Sequence, residues 1–429
     1  MNYSEAIRDL DSRQSESMPN PSLDRIRAIA ELMADPQLTY PSIHVTGTNG
    51  KTTTARLVTA LACTHGLTTG TFISPHVTAV TERISVCDDP IAEDELADVY
   101  GHLLPFLEHV DGLGRRVTYF ETLTALAYLW FADKPVGLGV FEVGMGGTWD
   151  ATNLIRSDVA VLAPVGLDHV KQLGPAIKDI AEEKAGIIKE GRVAVVREQR
   201  PGPLAVIERR CKEVDASMLL EGRDFALTLR VPGVGGQTMS IRGLHTSYDD
   251  LFLSLFGEQA ARNAAASVAA CEALLGRSLS YDAVREALGK ATSPGRIEVV
   301  GRRPLVVLDG AHNPDAAEAL ASALMEAFQW DRLHLVMAMF GDKDVETVVG
   351  MIAPIVDRAY LTVNSSPRSA PIDRLANAMR ESGVTEPETF ASVQEAVAAA
   401  RGAAGTEDLI LVTGSFYTVA DARPLFVGA

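Results

Sequence analysis

The chain has 429 residues, 47% apolar and 22% charged, with a formal net charge of −17 at pH 7. That length suits two domains rather than one core, and the composition is that of an ordinary globular protein. The acidic balance argues against nucleic acid or a membrane surface as partner, since both need a basic face; it leaves room for a locally positive site that takes an anionic substrate.

The N-terminal stretch MNYSEAIRDLDSRQ is polar and lacks the apolar core of a signal peptide. No run approaches the ~18 apolar residues that span a bilayer, so a soluble, cytoplasmic protein is expected. From residue 20, NPSLDRIRAIAELM predicts an amphipathic helix, with Pro21, Ser22 and Asp24 near its start and Ile26, Ile29, Leu32 and Met33 on one face. Short β-branched runs follow, SIHVTG, TGTFIS, GLGVFEVG and VAVLAPVG, and residues 51–66, 92–109 and 119–132 carry helical spacing between them. Strands alternating with helices predict a mostly parallel sheet covered on both faces.

Farther on, DFALTLRVPG places Phe225, Leu227, Leu229 and Val231 on one face at period two, and GVGG turns the chain into a second strand. A small antiparallel patch is expected there, followed by an alanine-rich helix over 258–275. Pro294-Gly295 then interrupts the helical pattern, and a domain boundary is placed at 296, giving domains 1–296 and 297–429. In the second, PLVVLDGAHNP, RLHLVMAMFG, RAYLTVN and DLILVTGSF read as strands separated by helices. The expected fold is therefore α/β: an N-terminal P-loop domain and a C-terminal Rossmann-like domain. The cysteines Cys63, Cys87, Cys211 and Cys271 make no metal-ligand pattern and are expected as buried free thiols in a reduced protein.

The chemistry begins at HVTGTNGKTTTARL, residues 44–57. The general phosphate-loop pattern is G-x-x-x-x-G-K-[ST]; Gly50-Lys51-Thr52 supplies its end, but Val45 occupies the first glycine's place and the nearest glycine is Gly47. A strand, a glycine turn and a helix nonetheless aim backbone N–H groups and a helix dipole at one anion. Lys51 would add a point charge and the Thr52 hydroxyl could meet Mg²⁺. The bland alternative is a strand-to-helix turn with a solvated lysine. Glu142 and His169 weigh against it, because the first closes a predicted strand and the second follows the next, and ligands of open α/β sheets collect at the carboxyl ends of strands.

GTNGKTTT, SPHVTAVTERIS, YFETLTA, EVGMGGTWDATN, GLDHVKQLG, IAEEKAGIIK, SPGR, DGAHNP, GDKD and TGSFYTV occur in one order. In that order the chain resembles the folylpolyglutamate synthase/dihydrofolate synthase family, within the ATP-dependent muramyl-type ligases. The resemblance runs from about residue 20 to 420 and accounts for the loop, since this superfamily's loop reads G-T-N-G-K. It implies that a pteroate or folate carboxylate attacks the γ-phosphate of ATP, and that L-glutamate then displaces phosphate from the acyl phosphate. It further implies Thr48, Asn49, Gly50, Lys51 and Thr52 as the triphosphate cradle, with Asn263, Arg296 and Asp309 as further ATP contacts. Ser74, Glu142 and His169 would hold Mg²⁺, with two ions expected, and Lys51, His169 and Lys184 would be the catalytic groups. Lys184 matches a lysine carbamylated by CO₂ in the family; its bland alternative is a surface helix lysine beside Glu182 and Glu183. Thr118, Tyr119, Phe120 and Glu121, with Trp149, Asp150 and Ala151, match pterin- or folate-contacting segments. His312 and Ser415 match glutamate-binding positions.

Three departures stand out. Thr52 follows the lysine where many relatives have a smaller residue; Thr148 replaces an arginine, and Trp149 a leucine. Loss of that arginine removes a cation near the acidic substrate tail and leaves the preferred folate open. A cell-wall muramyl ligase is disfavoured, because the 46 residues before Gly47 are too few for a UDP-sugar-binding domain and read as two short helices. A nucleotide switch would explain the loop but not a second domain carrying DGAHNP, and an inactive scaffold would not explain the full ligand set. A monomer is expected.

Overall fold

The computed structural model describes residues 1–14, 22–114 and 116–427. β1 (Ser42–Thr46) is buried along its whole length, as a strand covered on both faces must be. It lies within an eight-stranded sheet with β2 (Thr69–Phe72), β3 (Ile84–Val86), β4 (Asp89–Pro90), β5 (Leu138–Glu142), β6 (Val159–Leu162), β7 (Val193–Val196) and β8 (Ser217–Leu220). The order is β4-β3-β2-β5-β1-β6-β7-β8. From β2 to β8 all neighbours run parallel, and only β3 and β4 are antiparallel additions.

The chain divides into two compact units. The first comprises Met1–Arg230, Met239–Leu253 and Ala261–Ala291; the second comprises Val231–Thr238, Ser254–Ala260 and Thr292–Ala429. In the first, the helices Tyr3–Asp11, Asp24–Leu32, Glu93–Gly112 and Tyr119–Asp133 build one core cluster with Phe72 and Phe141. The helices Ile177–Ala185 and Pro201–Glu213 build another with Ala160, Leu162 and Val196. Helix Tyr119–Asp133 is apolar nearly all round and correspondingly buried. Helix Glu258–Leu275 uses alanines for close packing.

β9 (Ala226–Gly233), β10 (Gly236–Arg242) and β11 (Ser247–Leu253) form a three-stranded meander in the order β11-β10-β9. Its two-residue turn between β9 and β10 makes that pair antiparallel. The second unit has a six-stranded sheet of β12 (Glu298–Arg302), β13 (Leu305–Leu308), β14 (Leu333–Met337), β15 (Arg358–Leu361), β16 (Glu388–Thr389) and β17 (Leu409–Thr413). Its order is β12-β13-β17-β14-β15-β16, parallel except for β12 against β13.

Three expectations need correction. Cys63 and Cys87 form a disulfide, and only Cys211 and Cys271 are buried free thiols. Twenty-four residues of separation carry no spacing signal; the turn after β3 brings Cys87 back to the end of helix Lys51–Thr64. Leu32 is 44% exposed although Ile26 and Ile29 are buried, because it is the last residue of its helix. Phe225 is buried while Leu229 and Val231 are half-exposed: Phe225 precedes β9, and the others lie along that strand at the open edge of its sheet. Pro21 lies outside the described residues.

The N-terminal helices are held by a buried ion pair. Arg25 Nε donates to both oxygens of Glu121, at 3.0 and 2.9 Å, and both side chains are nearly inaccessible. Removing one partner strands the other charge away from water. Arg25→Leu is expected to lower unfolding stability by about 3–5 kcal/mol in chemical denaturation, and adding Glu121→Gln should restore part of it; an unchanged midpoint for Arg25→Leu would show that the pair does not hold these helices.

Candidate active site

The strand order reverses at β1. β2 and β5 lie to one side of it and β6 to the other, and β2, β5, β1 and β6 run parallel. Their carboxyl ends therefore open on one edge, at the switch point where ligands of open α/β sheets bind. Residues 47–52, 74, 143–151 and 163–169 all follow these strands, and Glu142 ends β5.

Two glycines shape the loop after β1. Gly47 has φ +148°, and a Cβ there would lie 2.6 Å from the Cβ of Ala163. Gly50 has φ +86°, and a Cβ there would lie 2.7 Å from Asn263 Nδ2. Neither place admits a side chain. Thr48 ties the loop to the segment after β6: its amide donates to Pro164 O at 2.9 Å, and its hydroxyl donates to Gly166 O at 3.0 Å and accepts from Gly166 N at 2.9 Å. Helix Lys51–Thr64 starts at Gly50, which has no side chain to cap it, so its first turn is suited to an anion. Asn49 lies in the same turn, and Lys51 Nζ curls back to donate to Gly47 O at 3.1 Å.

Glu142 ends β5 and is 1% exposed. Its Oε1 accepts from the Thr52 hydroxyl at 2.9 Å and its Oε2 from the Ser74 amide at 3.2 Å. Thr52, Ser74 and Glu142 are thus brought together, Ser74 through its backbone. His169 heads the helix Val170–Leu173 in a left-handed conformation, with φ +51°. Its amide donates to Asp168 Oδ1 at 2.8 Å, and its Nε2 lies 3.8 Å from Asp168 Oδ2. Among the described residues no group of three or more His, Cys, Asp or Glu side chains converges as a ready-made metal cage.

Lys184 is buried, on the helix Ile177–Ala185, and its Nζ donates to Gly47 O at 2.8 Å. The loop after β5 approaches this helix closely: a Cβ on Gly147 would lie 2.5 Å from Glu183 O, and one on Gly186 would lie 2.1 Å from Thr148 Oγ1. Burial, then the nearby Lys51, pulls the Lys184 ammonium down to about 7, against the opposing pull of Asp168, Asp150 and Glu183. Asp168, passed over in the sequence, and Glu183, read there only as a neighbour on a surface helix, belong to this electrostatic group; burial pushes the Glu183 carboxyl up. Only the adjacency of Asp168 to His169 hinted at it.

The aromatic segments divide. Thr118 caps helix Tyr119–Asp133 in a capping box with Glu121, whose carboxylate also holds Arg25. Asp150 accepts from Met145 N, Thr152 N and the Thr152 hydroxyl at 2.9, 3.0 and 2.5 Å, and burial pushes its carboxyl up. Ala151 is buried, and its carbonyl accepts from Tyr128 Oη at 2.8 Å. Each of these four residues makes contacts that hold the local fold. Phe120 is half-buried and packs on Phe72 and Gly144. Tyr119, half-buried under the Arg83 guanidinium at 5.4 Å, and half-buried Trp149 beside Gly146 offer ring surface.

In the second unit, Asp309 follows β13, is buried, and accepts from Ile297 N at 2.9 Å and Ala311 N at 2.7 Å. Burial pushes its carboxyl up despite Arg296. Arg296 lies 4.4 Å over the Phe416 ring, which packs on Gly295 and Gly310. His312 Nδ1 donates to Gly310 O at 2.8 Å, and the Ser415 hydroxyl caps helix Phe416–Ala422. Asn263 lies in the first unit, buried against Gly50.

Residues 45–271 match the Mur ligase middle domain, and residues 295–416 the Mur ligase glutamate ligase domain. The chain is 39% identical to the dihydrofolate synthase/folylpolyglutamate synthase of Mycobacterium tuberculosis, over 97% of this chain and 92% of that protein. It is similar to the crystal structure of the Mycobacterium tuberculosis folylpolyglutamate synthase complexed with ADP and AMPPCP, with a TM-score of 0.94 at 39% identity, covering 100% of this chain and 98% of that one. It is also similar to Escherichia coli FolC in complex with DHPP and ADP, with a TM-score of 0.89 at 30% identity, covering 99% and 97%.

The buried lysine makes stability depend on pH. Folded Lys184 titrates at about 7 against an ordinary 10.5, so between those values the folded chain binds fewer protons than the unfolded one. Its destabilising contribution is full below pH 7 and vanishes as pH approaches 10.5. Lys184→Met is expected to raise the melting temperature in degassed buffer at pH 7 by an amount equivalent to a few kcal/mol, with the gain shrinking towards pH 10; a lower melting temperature at pH 7 would show that the ammonium is stabilised where it lies.

Proposed function

The chain belongs to the folylpolyglutamate synthase family of the Mur ligase superfamily, and from that premise we propose which of its residues carry the family's reaction. It is an ATP-dependent ligase that joins L-glutamate to dihydropteroate, to tetrahydrofolate or to both. One observation carries the assignment to this chain's own residues: the glycine loop after β1 and the buried Glu142, which holds the Thr52 hydroxyl, meet at the sheet's switch point.

The acid's carboxylate oxygen attacks the γ-phosphorus of ATP and ADP leaves. The glutamate amine then attacks the acyl carbon, phosphate departs with the bonding pair, and the amide forms with loss of a proton. Two anions must approach each other in the first step, so the protein's contribution is placement and charge neutralisation. Thr48, Asn49, Gly50, Lys51 and the first-turn amides are proposed to hold the triphosphate. In the second unit, Arg296 and Asp309 are assigned to ATP, and His312 and Ser415 to L-glutamate; Asn263 in the first unit is a further ATP contact. Tyr119 and Trp149 supply the faces on which the pterin or aminobenzoyl ring packs, with Phe120 behind them and Thr118, Glu121, Asp150 and Ala151 as framework.

The oxygen donors fit Mg²⁺. Glu142 is a buried carboxylate beside the Thr52 hydroxyl, and Mg²⁺ takes one or two protein ligands with phosphate oxygens and waters, so the lack of a three-residue cage among the described residues is no obstacle. Thr52 and Glu142, with Ser74 and His169, are proposed to hold the two ions, which when bound neutralise charge between carboxylate and phosphate. Lys184 is proposed to be carbamylated: a neutral amine is available near pH 7, its lone pair bonds the carbon of CO₂, and its proton goes to solvent. The product is an anionic oxygen donor beside Lys51.

ATP-dependent phosphate release with L-glutamate tests the function, with dihydropteroate and tetrahydrofolate monoglutamate as parallel acceptors; turnover with neither would overturn it. Glu142→Gln and His169→Ala are expected to lose turnover by about 10²–10³-fold with little change in melting temperature, and near-normal turnover in either would remove that residue from the metal set. Lys184→Ala is expected to be inactive and partly restored by acetate or formate; full activity without them would exclude the carbamate.

A further inference from the structure

Arg197 heads the fully buried side chains by volume, and its side chain is 1% exposed. It follows β7, and its amide continues the ladder by donating to Leu162 O at 3.0 Å. Its Nε donates to Glu221 Oε2 at 3.2 Å and its Nη1 to Asn263 Oδ1. Glu221, which follows β8, also accepts from Arg262 Nε at 2.7 Å and from the Glu198 amide at 2.8 Å, and Arg262 reaches Glu198 Oε2 at 2.5 Å. Burial raises the Glu221 carboxyl, but Arg262 and Arg197 outweigh it and hold the group ionised.

A buried ion pair of this kind is seldom more stabilising than well-packed apolar side chains of the same volume, so its value is sought in what it orients. A guanidinium carries only donors. It can meet a carboxamide only at the oxygen, and doing so sets which way the amide of Asn263 faces. With Oδ1 held by Arg197, Nδ2 is the amide atom nearer the phosphate loop: a Cβ of Gly50 would stand 2.7 Å from Nδ2 and 3.1 Å from Oδ1. Gly50 is the residue from which the loop's helix starts. Rotated by half a turn, the same side chain would present an acceptor to an anionic ligand and repel it. Asparagine alone does not favour either orientation strongly.

We propose that Arg197 is a positioning residue for nucleotide binding: through Asn263 it holds a pair of N–H donors toward the acceptor atoms of a nucleotide at the Gly47–Gly50 loop. Glu221 keeps Arg197 charged and aligned, and Arg262 with Glu198 fixes Glu221 from outside. The proposal rests on the ATP site described above and extends it by one shell, to a residue that touches no substrate.

The test is direct binding of ADP by calorimetry, with melting temperatures measured in parallel. The parent chain must bind ADP; failure there would overturn the nucleotide-site assignment itself and with it this proposal. Arg197→Met combined with Glu221→Gln removes both charges together and is expected to weaken ADP binding about tenfold. Asn263→Ala should weaken it to a similar degree, and the triple variant no further, because the two act through one contact. Arg197→Lys retains the charge opposite Glu221 but not the planar fork; it should weaken ADP binding while the melting temperature stays within a few degrees, which separates orientation from stability if the double variant folds poorly. Parent-like affinity in Arg197→Lys and in the folded double variant, or losses that multiply with Asn263→Ala, would overturn the proposal.

Discussion

The carbonyl oxygen of Gly47 accepts from two ammonium groups, those of Lys51 and Lys184, and much of the site follows from making that possible. Like charges this close in a partly desolvated place repel strongly, and the fold answers by burying Lys184 until its proton is only half held at neutral pH. The carbonyl occupies this position because Gly47 takes a backbone angle and a closeness to Ala163 that no other residue tolerates. Lys184 reaches it because Gly147 and Gly186 let the β5 loop touch the end of the lysine's helix. An anion such as the phosphates of a nucleotide relieves the repulsion. A site that is electrostatically uncomfortable when empty is thereby organised for the charge it is built to receive.

Buried polar groups around this centre follow the same logic at one remove. Glu121 joins the helix caps to Arg25, Asp150 closes the turn after β5, and Glu272 takes the Tyr248 hydroxyl at 2.7 Å under the β11 hairpin. Each is satisfied by several donors, as a carboxylate out of water must be. None gains much over apolar packing, but each fixes a loop or helix end in one orientation. The loops that leave the carboxyl edge of the sheet thus rest on directional contacts, and the strands beneath them on non-directional apolar burial.

The strands were legible because burial on both faces leaves uninterrupted β-branched runs, and all eight anticipated strands of the two large sheets are present, SIHVTG as β1 and DLILVTGSF as β17 among them. The phosphate loop, Glu142 and His169 were legible because a topology rule says where strand ends gather. Pairings between distant residues were not. Nothing in the spacing of Cys63 and Cys87 signals their bond, and nothing near Arg197 points to Asn263, 66 residues on. Thr118 and Glu121 illustrate the converse: S/T-x-x-E before an apolar run is a capping signature, and the capping box is present at the start of helix Tyr119–Asp133.

Thr148 and Trp149 are two adjacent departures from the pattern the chain otherwise resembles, and their surroundings explain how they are accommodated. Thr148 donates its amide and its hydroxyl to Glu183 O, at 3.0 and 3.2 Å, and stands directly against Gly186. Its small branched side chain therefore stitches the β5 loop to the end of the lysine's helix. A longer cationic side chain would have to point away from that contact into solvent. Trp149, next along, covers Gly146 and Leu173 with a broad flat ring instead of the narrower side chain it replaces. The exchange removes a charge that could meet the acidic tail of a substrate and adds surface that can meet its aromatic body. Under the ring-binding role proposed for Trp149, discrimination among acceptors at this corner rests on ring stacking more than on attraction to extra carboxylates.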